Sequence, residues 1–157
     1  MVETIEDSIK RLLDIEAIRT LKHHYARLCD AGYPADELAA LFTEDAIWHG
    51  DPFGRYEGRE AIRTFFAAAP EALLFAAHYL TNPVIEVTGD TATGTWYLWE
   101  PAVARRTTQA YWLMAGYSDQ YRRDAGGWKF ANMTLFVKSF TPYEQGPGKV
   151  LIASDFG

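Results

Sequence analysis

A chain of 157 residues, 48% apolar and 15% aromatic, is long enough for one domain with a substantial core and too aromatic for disorder. Fifteen Lys and Arg against twenty-one Asp and Glu give a net charge of −6, which argues against a nucleic-acid partner held by a basic surface. The single Cys29 excludes an internal disulfide, and the longest apolar run, Ala72 to Leu80, falls far short of the roughly twenty residues of a membrane span.

Ile5, Ile9, Leu12, Leu13, Ile15, Ile18, Leu21, Tyr25 and Leu28 recur three and four apart, which predicts helix over the first thirty residues with these side chains on a buried face. Asp14 is expected to cap a second helical segment from Ile15 to about Cys29, with a break or kink before it. Ala31-Gly32-Tyr33-Pro34 stops that helix, and Pro34 opens a short one through Leu41. Ala46 to His49 reads as a short strand and Asp51-Pro52-Phe53-Gly54 as a turn. Glu60 to Ala69 reads as a third helix, with Ile62, Phe65 and Phe66 on its apolar side.

From there the composition changes. Asn82–Val87, Thr91–Trp99, Gln109–Arg123 and Trp128–Phe140 are rich in Val, Thr, Trp, Tyr and Phe and read as strands, joined by tight turns at Gly89-Asp90 and Asp124-Ala125-Gly126-Gly127. Helices first and a long antiparallel sheet afterwards predict an α+β fold, one domain over residues 1–157, with the helices on one sheet face. Long twisted strands wrapped around a helix make a cone whose open end is a ligand pocket, and the surplus of aromatics suits its lining.

Few residues can carry chemistry. His78 stands in an apolar stretch, either as a core histidine or as a base whose charged form needs a carboxylate nearby. Asp30 ends the first helical region, where the helix dipole disfavours a carboxylate, so a cation or imidazole partner would account for it. Tyr25, five residues earlier, can share a pocket edge or simply pack in the core. His23-His24 point to two helix faces and His49-Gly50-Asp51 lacks further ligands, so no metal site is expected. The Arg105-Arg106 and Arg122-Arg123 pairs read as solvated strand ends. Cys29 beside Asp30 would have a raised pKa, unfavourable for a nucleophile. No nucleophile elbow, dinucleotide fingerprint or phosphate loop is present, which leaves acid–base chemistry without a cofactor. By alternation, Leu113 and Tyr117 line the pocket with Tyr111 and Ala115 on their strand, and Trp96, Leu98 and Glu100 on another. Glu100 is either at the rim or a second acid.

Asp14-Ile15-Glu16-Ala17-Ile18, Tyr25, Asp30, Ala76-Ala77-His78-Tyr79-Leu80-Thr81-Asn82, Ala92 to Leu98, Tyr121-Arg122-Arg123 and Gly127-Trp128-Lys129-Phe130 together resemble the SnoaL-like (nuclear-transport-factor-like) family. Within it the chain is most similar to the group of scytalone dehydratase, bile-acid 7-alpha-dehydratase and hexachlorocyclohexane dehydrochlorinase. The resemblance implies a catalytic Asp30–His78 pair and a third group at Tyr25. It also implies a substrate pocket including Trp48, Leu135 and Val137, and a trimer. Three departures stand out. Gly50 replaces a pocket tyrosine of two relatives, Leu135 and Val137 occupy the inward positions near an arginine of others, and Ala115 and Tyr117 replace a serine and an asparagine. Lys138 is adjacent but alternation turns it outward.

The expected function is a cofactor-free lyase of the dehydratase type on a hydrophobic, ring-containing small molecule. An isomerase uses the same groups, and a binding module for an apolar ligand would use the cone alone. No nucleic acid or membrane partner is expected. The acidic N-terminus without an apolar signal core and the lone cysteine point to the cytoplasm.

Overall fold

The computed structural model describes residues 4–154. The chain runs α1 (Ile5–Asp30), α2 (Ala35–Ala40), β1 (Phe42–Gly50), β2 (Gly54–Glu57), α3 (Arg59–Ala72), β3 (Leu73–Ala76), β4 (Tyr79–Thr88), β5 (Thr91–Ala104), β6 (Ala110–Asp124) and β7 (Gly127–Pro142). The strands form one strongly curled sheet in the order β2-β1-β7-β6-β5-β3, with β4 also paired to β5. The α+β cone is the fold.

The structure differs from the sequence reading at several points, the four-residue strands β2 and β3 among them. The sheet is mixed, because β1 lies parallel to β7 while the other pairs are antiparallel. Local strand signals carry no information about which distant edge a strand joins. α1 is continuous, opened by a capping box in which the Asp7 backbone N–H donates to Thr4 Oγ1 and the Thr4 backbone N–H to the Asp7 carboxylate. Asp14 is no cap. It sits mid-helix and buried, accepting from Arg123 Nη2 at 2.7 Å and from Trp128 Nε1 at 3.1 Å, and so ties α1 to the β6–β7 hairpin. Arg123 also donates to Asp90 Oδ1, which makes it a clamp rather than a solvated strand end.

The buried face of α1 is also displaced from the one the periodicity predicts. Ile5, Ile9, Leu12 and Leu13 are all more than half exposed, whereas Asp14, Ile18, Lys22, Tyr25, Ala26, Leu28 and Cys29 are buried. Two charged residues interrupt the apolar stripe because each meets a counter-charge inside. Lys22 Nζ lies 2.8 Å from Asp119 Oδ2 and 3.4 Å from the centroid of the Tyr117 ring. Tyr121 donates to that same carboxylate oxygen and accepts from Trp96 Nε1.

Curvature comes from irregularities in the ladder. Register shifts occur between Thr81 and Val84 against β5, and at Met114/Ala115 and Gln120/Tyr121 against β7. Each such bulge bends its strand and increases the local twist. α1 fills the concave side, where Tyr25 meets the rings of Phe42, Phe66, Tyr117 and Phe130 at centroid distances of 5.7–6.4 Å. α3 closes one flank with Ile62 and Phe66 inward.

Candidate active site

Asp30, the last residue of α1, meets His78 in the two-residue gap between β3 and β4. Its Oδ1 accepts the His78 backbone N–H at 2.9 Å and lies 2.7 Å from ring Nδ1. One oxygen therefore fixes both the backbone and the ring, and the other ring nitrogen is left for the interior. That nitrogen, Nε2, stands 3.4 Å from Glu100 Oε2. The side chain of His78 is 5% exposed and that of Asp30 37%, so the pair runs from the protein surface inward, and of the two only His78 lines the cavity.

Behind it lies a cavity of about 130 Å³ whose walls are mostly aromatic. Of the candidate site residues, Tyr25, Trp48, His78, Glu100, Leu113, Tyr117 and Leu135 line it. Trp96, Leu98 and Val137 do not. Trp96 faces inward deeper in the core, with its N–H used by Tyr121 and its ring against His23. Leu98 is part of the same packed core. The bulge at Met114/Ala115 pairs Ala115 with Val137 and Met114 with Ser139, so Lys138 is the extra residue: Val137 still packs against the core beside Ala115, and Phe140, opposite Leu113, supplies the next wall of the cavity. Lys138 lies outside, its Nζ 4.2 Å above the ring of Tyr97. Among the described residues no Lys or Arg lines the cavity.

Glu100 is not at the rim. Only 6% exposed, it contacts the catalytic candidate itself. Residues that the sequence reading did not place in the pocket include Tyr33, Phe53 and Phe140. Tyr33 stacks on Phe66 at 6.3 Å and presents an edge to the His78 ring at the same distance. Its φ of +58°, sterically unfavourable for a side-chain-bearing residue, turns the chain back immediately after Asp30. The Gly32-Tyr33-Pro34 turn following a helix-terminal Asp was the available signal.

Burial alone would keep the His78 ring neutral, but Glu100 and Asp30 outweigh it and raise its pKa above the ordinary 6.5. Burial also raises Glu100, against the pull of His78 and with the repulsion of Asp30. The hydroxyls of Tyr25, Tyr33 and Tyr117 are pushed far up, chiefly by burial, and stay protonated as donors. Cys29 is raised mainly by burial, with Asp30 a lesser cause. The indole N–H of Trp48, 3% exposed, has no well-aligned acceptor among the described residues, the Tyr25 hydroxyl being its polar neighbour. Among the described residues no group of three or more His, Cys, Asp and Glu is placed to hold a metal ion.

A family model for the SnoaL-like domain matches residues 10–134. The chain belongs to the SnoaL-like family. A hexachlorocyclohexane dehydrochlorinase (LinA, type 2) shares 26% identity with a TM-score of 0.80, the match covering 86% of this chain and 92% of that one. A Novosphingobium aromaticivorans protein provisionally described as an aromatic ring hydroxylase shares 29%, with a TM-score of 0.76 over 83% and 94% of the two chains. Another from that organism, provisionally described as a scytalone dehydratase, shares 24%, with a TM-score of 0.78 over 84% and 89%. No curated protein matches significantly.

Packing within this member of the SnoaL-like family accounts for Gly50. A Cβ there would sit 3.0 Å from Leu135 Cβ and 3.1 Å from Trp48 Cη2, closer than ordinary contact. Trp48, two residues earlier on the same face, already fills the volume that a larger side chain at Gly50 would need.

Proposed function

We propose that the protein is a lyase of the dehydratase type acting on a neutral, ring-containing small molecule, with Asp30 and His78 as its acid–base pair. The observation that carries this is the His78 ring on the cavity wall, held through Nδ1 at 2.7 Å by the Asp30 carboxylate. With Asp30 accepting the Nδ1 proton, Nε2 bears the lone pair and faces the interior. There it removes a C–H proton next to a substrate carbonyl, while Asp30 stabilises the imidazolium that forms. The Trp48 indole N–H and the hydroxyls of Tyr25, Tyr33 and Tyr117 are donors for the substrate's oxygens. Their protonated state makes them hydrogen-bond partners rather than bases. No step of this elimination calls on a metal or organic cofactor.

Membership of a family with dehydrochlorinase-like neighbours supports elimination chemistry, since loss of water and loss of hydrogen chloride both begin with proton removal. A second reading has its own observation. Glu100 beside Nε2 gives the ring a carboxylate on each side, which would also satisfy a buried polar spot in a pure binder. An isomerase would use the same pair to return the proton elsewhere. Incubation with hydroxylated steroid, polyketide and phenolic ketones, read by mass spectrometry, separates the three. Loss of water by the native protein and not by His78→Ala supports the lyase; isomerised product of unchanged mass supports the isomerase. Equal ligand binding by both proteins with unchanged ligand supports the binder.

We further propose that copies associate through the outer sheet face. Tyr79, Trp99, Trp112 and Tyr143 form a continuous ring ladder there, with centroids 4.8–5.9 Å apart. Tyr79, Trp99 and Tyr143 are each at least half exposed. An apolar patch of this extent is normally covered by another molecule, and a trimer is the assembly proposed.

A further inference from the structure

We propose that Glu100 is the proton donor to the departing group, so that His78 and Glu100 act as one acid–base unit sharing a single proton. This rests on the lyase reading above and names the residue that completes it.

A carboxyl group at this position needs an explanation. Glu100 points into the cone from β5 with only 6% of its surface exposed. Its ion-pair partner is His78, and the other charge acting on it, Asp30, has the same sign as its own. The groups around it (Tyr33, Tyr117 and Leu113) offer no cation. A carboxylate buried this way, beside a like charge and with a single imidazole at 3.4 Å to balance it, is costly, whereas a carboxyl carrying a proton is not. Burial accordingly favours the protonated form.

The distance matters as much as the burial. At 3.4 Å, Nε2 and Oε2 are farther apart than the about 2.7–2.9 Å of a charge-assisted hydrogen bond. The Nε2 lone pair is therefore not consumed in a tight static contact, and both groups face the same cavity. A substrate lying against this wall would meet a base and an acid side by side.

The elimination then balances without any further reactant. Nε2 of neutral His78 takes the C–H proton, and the C–H electron pair becomes the new C=C bond. The C–O bond breaks with its electron pair on oxygen, and the Glu100 carboxyl gives that oxygen its proton, so water leaves. His78 is now an imidazolium and Glu100 a carboxylate. Transfer of one proton from Nε2 to Oε2 restores the starting pair. The number of protons on the protein is the same before and after, which suits a site shielded from solvent.

The test exploits the leaving group. Hydroxide needs a proton to depart, and chloride does not. β-Hydroxycyclohexanone and β-chlorocyclohexanone both yield the same conjugated ketone, read by ultraviolet absorbance against a protein-free blank. For Glu100→Gln, which keeps the size and polarity of the side chain, the ratio of hydroxy to chloro turnover should fall by about 10²-fold or more. For His78→Ala both rates should fall together. An unchanged ratio in Glu100→Gln overturns the assignment. Infrared difference spectra supply a reading independent of turnover. A protonated-carboxyl carbonyl band at neutral pH that vanishes in Glu100→Gln supports the shared proton, and its absence from the native protein overturns it. If the native protein converts neither ketone and no member of the wider panel, the lyase reading fails, while the infrared band still decides where the proton sits.

Discussion

The backbone N–H of residue 78 donates to Asp30 whatever side chain follows it, so removing the His78 ring leaves one of its two bonds to α1 intact. His78→Ala is therefore expected to lose about 10²–10⁴ in turnover while melting close to the native protein, as thermal denaturation beside activity would show. Asp30→Ala removes the acceptor of both bonds, and should cost about 1–3 kcal/mol in chemical denaturation besides the activity. The pH dependence has a definite sign. Because His78 is held above its ordinary 6.5, the one proton held between His78 and Glu100 beside Asp30 stabilises the fold fully below that pH, and this contribution fades as pH rises through the raised value. Substrate charge is decided at the same scale. With Leu135 on the wall, no lining cation and two carboxyl groups near the base, a carboxylate ligand would lack a partner. Of a ring ketone and the same skeleton bearing a carboxylate, the ketone should bind more tightly in calorimetry. Lys138→Met should leave that preference unchanged, since Lys138 packs on Tyr97 outside the cone.

At the scale of elements, β1, β4 to β7, the third helix and their turns were legible because alternation, aromatic content and Gly-Asp pairs are local signals, whereas the four-residue β2 and β3 were too short to carry one. The face of α1 was not. Hydropathy placed Leu12 and Leu13 inside and was silent on Lys22 and Asp14, because a charged side chain is buried only when a distant strand supplies its partner. Asp14 also makes a prediction. Its carboxyl is held below its ordinary pKa, first by the Arg123 hydrogen bond and then by Trp128, against the cost of burial. The stability it contributes is present above about pH 3.8 and is lost as pH falls through the lowered value. Asp14→Ala should cost about 1–3 kcal/mol at neutral pH, by leaving Trp128 and Arg123 without this acceptor, and should flatten the acid limb of the stability curve.

For the whole molecule, the ion pair Lys22–Asp119 joins α1 to the floor of the cone with both side chains fully buried. Burial pulls Lys22 down and pushes Asp119 up, each opposed by the other. Lys22→Met is expected to cost about 3–5 kcal/mol in urea denaturation, and adding Asp119→Asn should recover part of that, because the loss lies in the uncompensated charge. The assembly is tested by light scattering, which should return about three times 17.7 kDa. Trp99→Glu, which puts a charge in the middle of the outer aromatic ladder, should dissociate it.

Composition, periodicity and the order of elements by themselves determined an α+β cone with an aromatic pocket. The charge mismatch of a carboxylate at a helix end, together with the family resemblance, was enough to pair Asp30 with His78, since both positions carry a local cost that a partner relieves. The tertiary structure alone decided the parallel seat of β1, the bulge at Lys138 that brings Phe140 to the pocket wall, and the place of Glu100. Each depends on register or on contacts between residues far apart in the chain. Glu100 shows why. Its inward face follows from alternation along β5, but its 3.4 Å approach to His78 follows from how β5 stands against the β3–β4 gap, which no local pattern encodes.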